Sequence, residues 1–144
     1  MRSKFELQCM NGAADFASMD GSQSTRKRIL VIEDELIVAR DLGNLIRRLG
    51  HVLIGHASNG QDAIRLASET KPDLILMDIR LNGPIDGVQA ANEIVRRHRI
   101  PVIYVTANSD MFLDGHSEMV HPYICVTKPF SELSVQAAIE SIAP

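Results

Sequence analysis

No apolar run in this 144-residue chain approaches the roughly 18 residues that would span a bilayer. The N-terminus lacks the apolar stretch of a signal peptide, which argues against secretion. Cysteine is scarce. Cys9 and Cys125 are the only two, and their spacing suits neither a disulfide framework nor a metal site; two unrelated thiols fit a reducing cytoplasm. Charge of one sign is not in excess either. A net charge of −3 gives no general reason to bind nucleic acid or membrane. The Gly-x-Gly-x-x-Gly phosphate cradle is missing, Gly83 and Gly87 reading as loop glycines. There is no internal repeat and no sign of a second domain.

What is present is a chain of one domain's length with 45% hydrophobic residues, enough to build a single core. Residues 1–26 stand apart. They are small and polar with no sustained period, and read as a flexible leader, expression-derived in part; the competing reading is a docking arm that orders on a partner. Residues 27–144 form the domain proper. There, strand and helix patterns alternate five times. Arg28–Glu33, Val52–Ala57, Leu74–Met77, a strand opened by Pro101, and Tyr123–Val126 are the strands. Between them, Val38, Leu42, Leu45, Ile46 and Leu49 recur at helical spacing and Gly50 stops that helix. Asn59, Asp86 and Ser131 are placed to cap three more. Such alternation predicts a parallel sheet with helices on both faces. The segment between Thr106 and Tyr123 should hold a further helix, but Gly115, Ser117 and Pro122 interrupt it, so a short or mobile one is expected.

Polar residues follow the apolar runs at one recurring place. Glu33-Asp34 follow the first strand, Asp78 the third, Thr106 the fourth and Lys128-Pro129 the fifth. In an open parallel sheet these C-terminal ends lie side by side and form the ligand crevice. Like charges in one cleft repel unless a cation lies between them. Magnesium prefers hard oxygen ligands and binds through one or two carboxylates plus phosphate oxygens. Asp34 and Asp78 are its expected ligands, with Glu33 joining through water. Asp78 is the candidate nucleophile, since aspartate forms acyl phosphates when a metal neutralises the phosphoryl oxygens. Lys128 can pair with a phosphate oxygen or with Asp78, and Thr106 can donate its hydroxyl. The plainer reading is that Glu33, Asp34 and Glu35 merely suit the start of a helix. It leaves Asp78 unexplained.

The segments Ile29–Glu35, Pro72–Arg80, Val105–Ala107 and Thr127–Phe130, in that order, resemble the receiver domain of two-component response regulators over about residues 28–143. The resemblance implies a flavodoxin-like, doubly wound five-stranded parallel sheet in the order 2-1-3-4-5. It implies that Asp78 accepts a phosphoryl group from a sensor histidine kinase or a histidine phosphotransfer protein. Asp34, Asp78 and the backbone carbonyl of Arg80 would hold Mg2+ with Glu33 assisting, and Thr106 and Lys128 would read the phosphate. It also implies a cis Lys128–Pro129 bond and a charge-driven rearrangement of the surface around the fourth and fifth strands. The expected protein is thus a cytoplasmic phosphoprotein, not a turnover enzyme on an external substrate. It would signal to a downstream protein and contact neither membrane nor nucleic acid, a homodimer being left open.

Three departures from the family pattern bear on signalling. The loop Ile79–Gly87 is one residue longer than the commonest form. Cys125 stands where an aromatic switch residue is usual, with Tyr123 on the same strand face as a substitute. The helix before Tyr123 is weak. Two other functions compete: a receiver-like binding module that works without phosphorylation, and a haloacid-dehalogenase-type phosphatase. The latter needs an acid two residues after Asp34, where Leu36 stands.

Overall fold

Aliphatic runs and helix caps decide where the elements fall. The computed structural model describes residues 9–10, 26–107 and 123–142. Its strands are β1 (Cys9–Met10), β2 (Arg28–Ile32), β3 (Val52–Ala57), β4 (Leu74–Asp78), β5 (Val102–Thr106) and β6 (Ile124–Thr127). The helices are α1 (Leu36–Arg48), α2 (Gly60–Thr70), α3 (Gly87–His98) and α4 (Glu132–Glu140). The helix expected between Thr106 and Tyr123 lies outside the described residues.

The caps act locally. Asn59 Oδ1 accepts the Asp62 amide at 2.8 Å and Asp86 Oδ1 the Gln89 amide at 2.8 Å. Ser131 Oγ accepts the Ser134 amide at 3.0 Å. Each satisfies one of the orphan donors of a first turn. At the other end of α1, Gly50 takes a φ of +92°, the left-handed conformation glycine adopts without penalty.

All strands are parallel, in the order β1-β6-β5-β4-β2-β3. Counted from Arg28, five of them run 2-1-3-4-5, as expected. The sheet nevertheless has six strands, not five. The extra one, β1, comes from the segment read as a leader and adds to the outer edge of β6. Composition does not signal it, because edge pairing uses main-chain groups and asks little of the side chains.

Strand alternation splits the core in two. Leu30, Ile32, Ile75, Met77, Val102, Tyr104 and Cys125 meet α2 and α3 through Ala63, Ala67, Val88, Ala91 and Ile94. Ile29, Val31, Leu74, Leu76, Ile103, Val105 and Val126 meet α1 and α4 through Leu42, Leu45, Ile46, Val135 and Ile139. Strands covered on both faces need apolar residues at every position, which is why the sequence shows unbroken aliphatic runs.

The same parity orients the polar ends. Glu33 continues the phase of Ile29 and Val31, and Asp78 that of Leu74 and Leu76. Lys128 continues that of Ile124 and Val126. All three therefore fall on the α1/α4 side of the sheet, beyond its last apolar layer.

Candidate functional site

The register brings the strand ends into line. Ile32 is paired with Met77, Asp78 with Val105 and Thr106 with Thr127. Strand order reverses between β2 and β4, so the crevice opens at their C-terminal ends. Ligand oxygens of Glu33, Asp34 and Asp78 lie within 4.8 Å of one another there. Glu33 is 1% exposed and Asp78 6%, while Asp34 is half-buried.

Lys128 closes one side of the cluster. Its Nζ donates to Glu33 Oε1 at 3.0 Å and reaches Asp78 Oδ2 at 3.5 Å. The expected pairing with Asp78 is thus the longer of two contacts, and Glu33 is the nearer partner. The Lys128 amide donates to the Thr106 carbonyl at 2.8 Å, tying the end of β6 to that of β5. The Lys128–Pro129 bond is cis, as the resemblance implies. Thr106 is 2% exposed at the end of β5. Ala107 beside it is exposed.

Electrostatics follow from burial. Glu33 is pushed above its ordinary carboxylate value by burial and by the Asp78 charge, against the pull of Lys128. Asp78 is pushed up by burial, against the opposing pull of Lys128 and the Arg80 amide. Burial alone would lower Lys128; its hydrogen bond to Glu33 and the charges of Asp78 and Glu33 outweigh this and raise it. One ammonium therefore does not neutralise three clustered carboxylates. A hard divalent cation fits the remaining negative charge and the all-oxygen donor set.

Backbone details hold the geometry. The Arg80 amide donates to Asp78 Oδ1 at 3.2 Å, which places the loop backbone beside the acid. The Glu35 amide donates to Glu33 Oε2 at 3.1 Å. Glu35 itself makes no side-chain cap on α1.

Gly87, read as an ordinary loop glycine, has a sharper role. A Cβ there would lie 2.1 Å from the Asp78 carbonyl oxygen and 2.8 Å from Ile79 Cα, and the Gly87 amide donates to the Ile79 carbonyl at 2.8 Å. The start of α3 thus rests directly on the backbone of the central acid. His56 Nε2 is 2.9 Å from the Glu33 carbonyl, to which it can donate. An isolated bridge joins Asn59 to Asn82, pinning the loop after Asp78 to the start of α2. No sequence signal distinguishes these contacts, which depend on loops meeting across the crevice. Tyr123 does pack on the same core face as Cys125, its ring edge-on to Tyr104 with centroids 6.1 Å apart.

A doubly wound parallel sheet with an acidic cluster and a lysine at its carboxyl edge defines a class: α/β domains whose ligand crevice lies at the switch point of the strand order. Residues 29–140 match the response regulator receiver domain, and the chain belongs to that family. It is 39% identical over 126 residues to the phyllosphere-induced regulator PhyR of Methylorubrum extorquens, a match covering 87% of this chain and 46% of that protein. It is 34% identical over 121 residues to the transcriptional regulatory protein PdtaR of Mycobacterium tuberculosis, covering 84% and 58%. The crystal structure of the anti-anti-sigma factor PhyR from Bartonella quintana superposes with a TM-score of 0.72 at 37% identity, covering 81% of this chain and 47% of that one. The chain therefore spans about half the length of these relatives. Among the described residues no helix is long and apolar enough to cross a membrane.

Proposed function

We propose that this receiver domain is a Mg2+-dependent phosphoacceptor, taking a phosphoryl group onto Asp78 from the phosphohistidine of a sensor kinase or a histidine phosphotransfer protein. The observation that carries the reading is the convergence of Glu33, Asp34 and Asp78 with Lys128 at the strand-order reversal.

An oxygen of the Asp78 carboxylate attacks phosphorus and the P–N bond to the donor imidazole breaks. Its electron pair returns to the ring nitrogen, and an acyl phosphate is left on Asp78. Glu33, Asp34, Asp78 and the Arg80 carbonyl would hold the cation, which would supply positive charge to the phosphoryl oxygens. Lys128 stands within reach of Asp78 and can move from Glu33 to an incoming phosphate oxygen, a stronger charge-assisted contact. The Thr106 hydroxyl supplies a second donor. Leu36 and Ile37 open α1 just beyond the acids and are 72% and 76% exposed; they offer the donor protein an apolar landing surface. The domain acts in the cytoplasm and signals by contact with a downstream protein. It does not turn over an external substrate.

The test is a titration of wild type and Asp78→Asn with beryllium fluoride and Mg2+, a phosphoryl mimic, read by amide NMR. Magnesium-dependent shifts at Thr106 and Lys128 in wild type alone are the expected result. The same spectra with and without the mimic in wild type would sink the reading and favour a module that binds partners without phosphorylation.

A further inference from the structure

The pairing of β1 with β6 takes no part in the phosphoryl chemistry and calls for its own explanation. Cys9 is in register with Cys125 and Met10 with Val126, and α4 lies against both strands. Without β1, β6 would be the last strand of the sheet. The outward main-chain groups of Ile124–Thr127 would then form an open row of donors and acceptors, a template for strand addition.

Two paired residues make few ladder bonds, and a contact of that length has little stability alone. The tether makes it viable. Seventeen residues, 11–27, join Met10 to Arg28. Three strands separate β1 from β2, a lateral span of about 19 Å at ordinary strand spacing. Seventeen residues can reach at most about 60 Å, well beyond that span. Joining the two segments in one chain makes their pairing intramolecular and raises its effective concentration. The pairing is therefore favoured within one chain, yet is short enough to release.

We propose that the outer edge of β6 is a strand-acceptor surface occupied by the chain's own Cys9–Met10, which act as a releasable latch. The latch sits on the strand that delivers the site's cation: β6 ends at Thr127, one residue before Lys128. A partner that reads this edge must present an extended segment and displace β1. The inference stands whether or not Asp78 accepts a phosphoryl group.

Amide hydrogen exchange by NMR on the full 144-residue chain tests it, comparing wild type with the double variant Cys9→Pro/Met10→Pro. Successive strand amides point to opposite sides, so the double variant removes whichever one faces β6. The amides of Ile124–Thr127 that point away from β5 should exchange about tenfold faster or more in the variant, while those of β2 and β4 stay protected. A synthetic peptide of residues 5–14, added to the variant, should restore that protection and saturate. Unchanged exchange at β6 overturns the proposal. So does accelerated exchange that the peptide fails to reverse, because the edge is then no acceptor. A loss of protection that spreads to β2 and β4 also overturns it, by making the segment part of the core.

Discussion

Replacing Asp78 with asparagine is expected to stabilise the metal-free chain, although it destroys the residue on which the proposed function depends. Ligand oxygens of Asp78 lie within 4.8 Å of those of Glu33 and Asp34 and 3.5 Å from Lys128 Nζ. At an effective dielectric of about 20, each carboxylate pair at that separation repels by about 3.5 kcal/mol and the lysine contact attracts by about 5 kcal/mol. Asp34 is half-buried, so solvent cuts its share. The charges thus leave Asp78 with a small net repulsion, and the cost of its burial adds to that. Asparagine keeps the shape and removes the charge, so a gain of about 1–3 kcal/mol is expected, seen as a rise in Tm of roughly 4–10 °C. Glu33 and Asp78 are both held above their ordinary values, so the folded state binds more protons than the unfolded one. Metal-free wild type should therefore lose stability as pH rises from about 4 through the raised values, and the variant should lose less. Calorimetry at neutral pH with EDTA, then with excess Mg2+, checks both arms. Magnesium at 100 times its dissociation constant would add about 2.7 kcal/mol to wild type and much less to the variant, closing or reversing the gap. A metal-free Asp78→Asn that melts with or below wild type would refute the reasoning.

Further outcomes follow from single contacts. Lys128→Met leaves the buried Glu33 and Asp78 without their cation and should cost about 3 kcal/mol in EDTA, with Mg2+ restoring part of it; urea denaturation with and without the metal reads this. Gly87→Ala puts a Cβ 2.1 Å from the Asp78 carbonyl oxygen and should cost about 2–3 kcal/mol as α3 is forced off β4. Gly43→Ala meets only the Leu53 side chain, at 3.0 Å, and should stay within about 1 kcal/mol of wild type; equal melting of the two variants would contradict the fit. His51 is held below its ordinary value by burial and by Lys27, and its Nδ1 accepts the Lys27 amide at 3.0 Å. The unfolded chain therefore takes up the proton first, and stability should fall as pH drops below about 6.5. His51→Asn keeps an acceptor without the titration and should remove that component of the pH–stability curve.

The domain's plan is legible because it rests on short-range rules. Unbroken runs such as Ile29–Ile32 and Leu74–Met77 specify strands buried on both faces, and Asn59, Asp86 and Ser131 start helices through bonds to amides three residues on. Acids placed after those runs must gather at one edge of a parallel sheet, so the cluster of Glu33, Asp34 and Asp78, with oxygens close enough to hold a metal, could be foreseen. Tertiary structure alone decided which contacts those groups make. Lys128 comes nearer Glu33 than Asp78 because β6 and β2 are set by register across two intervening strands. The need for glycine at position 87 arises where α3 meets the backbone of β4, a steric fact with no local signature. The edge strand at Cys9–Met10 belongs to the same category. Main-chain pairing is nearly blind to side-chain identity, so only the position of the β6 edge and the length of the tether could reveal it.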